Sequence, residues 1–84
     1  MKPVERCYQT FGLTIAVMRR LQRMSQAKLA ERVGLVRTSI VNIEQGRQRV
    51  LLADIEKFAK AFRVPPIQLA EAVWGDRKKG RPKL

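Results

Sequence analysis

Two short apolar stripes, set almost end to end, constrain this chain more than any other feature. Over Gln26–Val33 the residues Leu29, Ala30 and Val33 recur at helical spacing. Over 37–45 Ile40 and Ile43 do the same, with only Gly34, Leu35 and Val36 between the two segments. Helices joined by so short a turn cross steeply, and a steep crossing needs a small residue where they face each other, which is Ala30. The turn needs a residue that accepts positive φ, which is Gly34. Leu29, Val33, Leu35, Ile40 and Ile43 are then expected to fill the wedge between the helices.

The rest of the chain carries the same period. Phe11, Ile15, Met18 and Leu21 form a stripe before the pair, and Leu52, Ile55, Phe58, Ala59 and Phe62 form the longest one after it. Ile67, Leu69, Ala70, Val73 and Trp74 suggest a fifth helix, and no segment alternates over strand length. The fold class is therefore all-α. Punctuation agrees: Ser25 suits an N-cap, Thr38 and Ser39 suit a helix start, and Gly34 and Gly46 suit helix ends. Pro65 and Pro66 close the fourth helix, and Pro66 fits the first position of the fifth. At 84 residues the chain makes one domain, expected as an arm over 1–10, a helical body over 11–74 and a basic tail over 75–84.

Charge narrows the partner. Eighteen Lys and Arg stand against seven Asp and Glu, a net +11 that favours polyanions, nucleic acid first. An apolar fraction of 45% is too high for a disordered basic tail. There is no histidine, no carboxylate cluster and a single cysteine, Cys7, so neither a metal site, a cofactor nor enzymatic catalysis is expected. No apolar run spans a membrane and no leader is evident, so the expected location is cytoplasmic, on the nucleoid.

Two helices joined in this way make a helix-turn-helix, whose second helix lies in the DNA major groove. The chain resembles the Cro/repressor-type, lambda-repressor-like helix-turn-helix family over most of 11–74. The matching residues are Met18-Arg19, Ser25-Gln26-Ala27-Lys28-Leu29-Ala30-Glu31, Gly34-Leu35, Ser39-Ile40-Val41-Asn42-Ile43-Glu44-Gln45-Gly46-Arg47 and Ala59-Lys60-Ala61-Phe62-Arg63-Val64. The resemblance implies a compact five-helix domain with the motif at helices two and three. It implies that Arg37, Thr38, Ser39 and Asn42 read bases, and that Gln26, Arg47, Gln48 and Arg49 bind phosphates. It implies a buried pair, Arg19 with Glu44, and a homodimer interface built on Leu69, Val73 and Trp74. Double-stranded DNA is then the partner, with no membrane and no small-molecule effector.

Three departures stand out. Arg23 and Arg63 occupy helix ends where the family often has glycine, and Val50 replaces a common proline. The tail segment Lys79-Gly80-Arg81-Pro82-Lys83 looks like the core of a minor-groove hook. The expected function is a palindrome-binding transcriptional regulator, a repressor by default, of the kind found among small phage regulators and restriction-modification controllers. An antitoxin-like protein with a partner to neutralise, and a non-specific architectural protein, are the competing classes.

Overall fold

The computed structural model describes residues 3–75 and builds them into five helices: α1 Pro3–Leu21, α2 Gln26–Val33, α3 Arg37–Glu44, α4 Leu52–Phe62 and α5 Pro66–Trp74. The all-α reading holds, with helix bounds close to the apolar periods. One boundary differs. Most of the segment 1–10, expected as an arm, is the first part of α1, in which half-buried Tyr8 and Cys7 extend the stripe of Phe11 and Ile15 by one turn. The tail over 76–84, including the Lys79–Lys83 segment, lies outside the described residues.

The core is a single cluster in which Ile15, Leu29, Ile40, Ile43, Phe58, Phe62 and Leu69 are fully enclosed. Phe58 is its centre. It meets Phe11 edge-to-face at 5.9 Å between centroids and stacks on Phe62 at 6.4 Å, geometries that add to area burial. Some stripe residues do not reach this cluster. Leu21, Leu52 and Ile67 are exposed, because each falls at a helix end, beyond the span its neighbours cover. Val50, which stands where the resembled family commonly has proline, packs against the core from the loop before α4.

Four of the five helices end the same way. In each, a residue in the left-handed region donates its N–H three residues back while the next N–H reaches five back. For α2 these bonds are Gly34 to Glu31 and Leu35 to Ala30, and for α3 Gly46 to Ile43 and Arg47 to Asn42. For α1 and α4 the left-handed residue is an arginine, Arg23 (φ 56°) and Arg63 (φ 60°). The arginines therefore keep the turn type that glycine would give and accept the steric strain of φ > 0.

Starts are more varied. Ser25 Oγ accepts from Lys28 N–H at 3.0 Å, the expected cap of α2. The α4 start is tied by Leu51 N–H donating to Asp54 Oδ2 at 3.2 Å. Thr38 and Ser39 do not cap α3. The helix begins one turn-position earlier, at Arg37, behind Val36, which has no acceptor side chain.

Gly12 sets how α1 meets α3. A Cβ there would lie 2.0 Å from the carbonyl oxygen of Ile43 and 2.9 Å from that of Glu44, so the two backbones touch. This close approach holds the C-terminal end of α3 against α1 and directs its N-terminal half outward.

Candidate nucleic-acid interface

The wedge between α2 and α3 is filled as its spacing requires. Leu29, Ala30, Val33, Ile40 and Ile43 are buried and Leu35 half-buried. Gly34 sits at φ 74° with open space around its Cβ position, so the dihedral demands glycine there and packing does not. What remains outside is the other face of α3. Arg37 and Thr38 are exposed, and Ser39, Val41 and Asn42 are half-buried along the flank. Beyond α3, Arg47 and Arg49 are exposed and Gln48 half-buried in the loop that Gly46 turns. Gly46 itself packs on α1, where a Cβ would lie 2.6 Å from Gln9 Cγ.

Behind this face runs a chain of polar bonds. Arg19 Nε donates to Glu44 Oε2 at 2.6 Å and its Nη2 to Glu44 Oε1 at 3.1 Å, a bidentate pair. The two side chains are only 10% and 6% exposed, so the pair is buried as the family resemblance implies. Arg19 Nη1 also donates to the Met24 carbonyl at 2.9 Å, which satisfies the remaining side of the fork. Gln26 Nε2 donates to the same Glu44 Oε1 at 3.1 Å, and Gln26 Oε1 accepts from Arg37 Nη2 at 3.2 Å. The pair from α1 and α3 is thus linked through the first residue of α2 to the first residue of α3. Sequence reasoning assigned Gln26 and Arg37 to separate tasks and missed their joining. The signal was available in their separation of eleven residues, which spans α2 and the turn and returns to the same end of the motif.

The interface residues expected for a second protomer divide. Leu69 is 0% exposed and belongs to the protomer's own core, because it faces α1 and α4 rather than outward. That assignment is corrected. Val73 is half-buried, Trp74 is 42% exposed, and both line an apolar groove of about 250 Å³ with Tyr8, Leu52, Ile55 and Cys7. Ile67, two turns before Trp74 on the same side of α5, is 64% exposed. Among the described residues no three His, Cys, Asp or Glu gather as metal ligands would, and no helix is long and apolar enough to cross a membrane.

A wedge of two short helices, an exposed polar face on the second and cations on the loop beyond have the form of a helix-turn-helix. Comparison with known proteins agrees: a family model for the helix-turn-helix domain matches residues 10–72. The chain belongs to the helix-turn-helix domain family. It is similar to control protein C.BamHI of Bacillus amyloliquefaciens, 48% identical over 48 residues. That match covers 57% of this chain and 59% of the relative, so it spans rather more than half of each. Among solved structures it is similar to the restriction-modification controller protein C.AhdI of Aeromonas hydrophila, with 32% identity and a TM-score of 0.71 over 74% of this chain and 94% of that one. The clp gene regulator ClgR of Corynebacterium glutamicum shares the fold at a TM-score of 0.76, with 17% identity over 89% of this chain and 95% of that one.

Proposed function

We propose that this protein is a sequence-specific regulator of the restriction-modification controller kind, binding a short palindromic operator as a homodimer with one α3 in the major groove of each half-site. The observation that carries the reading is the bonded chain from Arg19 through Glu44 and Gln26 to Arg37. An arginine on an ordinary solvated helix face has no fixed direction. This one, at the first position of the second motif helix, is tied to buried structure before any ligand arrives.

The roles then follow from chemistry. Arg37 reads guanine O6 and N7 with the N–H groups that Gln26 leaves unused, and Asn42 reads adenine. Thr38 and Ser39 contact either base edges or phosphates. Gln26 spends one Nε2 hydrogen on Glu44 and has a second for a backbone phosphate at the α2 N-terminus. Arg47, Gln48 and Arg49 clamp phosphates and set register. The groove beside Val73 and Trp74 takes the second protomer, which spaces two reading helices about 34 Å apart, one turn of B-DNA. Repression follows from operator occupancy that excludes polymerase.

Selection of bound duplexes from a random pool, with the footprint length recorded, tests this directly. A two-fold consensus with half-sites one turn apart is expected. Arg37→Ala or Asn42→Ala should each cost about 1–3 kcal/mol on the selected site and relax preference at one base position. An Arg37→Ala protein with unchanged base preference refutes the assignment of the reading face.

A further inference from the structure

Among the described residues, the two non-glycine positions with a left-handed backbone are both arginines, Arg23 and Arg63. Each closes a helix with the same pair of bonds that Gly34 and Gly46 make elsewhere without steric strain. A residue held in an unfavourable conformation where glycine would serve directs attention to its side chain. The two caps also abut. Gln22 Nε2 donates to the Phe62 carbonyl at 3.0 Å, so the residues immediately before the two arginines are in direct contact.

The surroundings are cationic. Arg63, Lys60 and Arg32 line an open notch of about 400 Å³ whose only other wall residue is Ala61. All four cations, Arg23, Arg32, Lys60 and Arg63, are exposed. Among the described residues the ion pairs are Arg19–Glu44, Lys28–Glu31 and Lys57–Asp54, and none of the four takes part in them. Arg23 also stands three residues before Gln26, in the turn that enters α2.

We propose that Arg23 and Arg63, flanked by Arg32 and Lys60, form a second phosphate-binding surface that takes the DNA backbone beyond the segment read by α3. Unneutralised cations spread over adjoining helix ends suit a repeating polyanion, and the guanidinium fork suits its phosphates. The inference rests on the DNA reading above and extends it to the flanking duplex.

The test uses the full chain and duplexes carrying the selected operator. Arg23→Gly with Arg63→Gly keeps both caps and relieves both backbones, so the double variant should melt higher than the parent. Its operator binding should nevertheless fall on the order of 30-fold at 0.15 M salt, with the slope of log K against log salt reduced by about 2, the loss of two phosphate contacts. Hydroxyl-radical protection of the flanking backbone sugars should disappear while base preference stays as in the parent. Arg23→Lys with Arg63→Lys should retain the parental slope. An unchanged slope in the glycine pair, alongside relaxed base preference in Arg37→Ala, overturns this surface and leaves the reading face standing. A fall in slope that the lysine pair shares, although both charges are kept, assigns the effect to something other than phosphate neutralisation and equally overturns it. Unchanged base preference in Arg37→Ala overturns instead the reading on which the surface rests.

Discussion

Gly12→Ala sets two physical rules against each other. Helix propensity alone favours the substitution, since alanine in a helix interior is about 1 kcal/mol better than glycine. Packing opposes it. The new Cβ would lie 2.0 Å from the Ile43 carbonyl oxygen, 2.9 Å from that of Glu44 and 3.0 Å from the Glu44 carbonyl carbon. Ordinary contact begins near 3.4 Å, so α1 and α3 must separate by about 1.4 Å at this point. Overpacking costs about 1–3 kcal/mol where side chains can yield. Here the obstacles are backbone atoms that no rotamer change removes, which places the cost at or above the upper end. Net of propensity, the variant should lose about 2 kcal/mol, a fall in Tm of about 8–16 °C for a domain of this size. The Ile43 carbonyl also accepts Gly46 N–H at 3.0 Å, so its displacement loosens the turn that carries Arg47 and Arg49, and operator affinity should fall too. Thermal and urea unfolding followed by circular dichroism, with a DNA titration on the same samples, measures both. A Gly12→Ala protein as stable as the parent, or more so, refutes the backbone contact between α1 and α3.

Two further substitutions probe the motif. Glu44→Ala leaves the Arg19 guanidinium buried with only the Met24 carbonyl for company, and should cost about 3–5 kcal/mol in urea unfolding. Replacing both partners, as Arg19→Met with Glu44→Leu, should recover most of that loss, and a single-variant cost under about 1 kcal/mol refutes the pair's burial. Gly34→Ala should cost about 1–2 kcal/mol, because φ 74° is strained for alanine while nothing lies within 4 Å of the new methyl. A loss well above 3 kcal/mol in the same assay means that the turn is more crowded than the structure has it.

Periodicity made the five helices legible because each buries a stripe in one shared core, and the spacing of such a stripe is written directly in the residues. Ala30, Gly34, Ile40 and Ile43 are the clearest case, since backbone geometry restricts each position to a few residue types. Periodicity reports which residues lie on one side of a helix and not how far the helix is covered. Leu69 and Trp74 therefore read alike, although one is enclosed in the protomer and the other opens onto a groove. Gly12 was silent for a related reason. A missing side chain shows neither period nor charge, and its use depends on the carbonyls of residues thirty positions away. The join between Gln26 and Arg37 was hidden because each side chain had a sufficient task of its own.

That join explains why position 26 carries an amide. Along the chain of bonds the groups run guanidinium, carboxylate, amide, guanidinium, from Arg19 through Glu44 and Gln26 to Arg37. The third member must donate to a carboxylate and accept from a guanidinium at once. A carboxylate in its place would face Glu44 with like charge, and an ammonium would do so with Arg37 and has no acceptor to offer. A glutamine does both, and its orientation follows from its neighbours: Nε2 toward Glu44 and Oε1 toward Arg37. One N–H is still left, at the end of α2 whose dipole favours an anion. Holding Arg37 in the proposed reading position and binding a phosphate are therefore compatible tasks for one side chain, and a phosphate drawn to Gln26 would meet an amide already oriented by the buried pair.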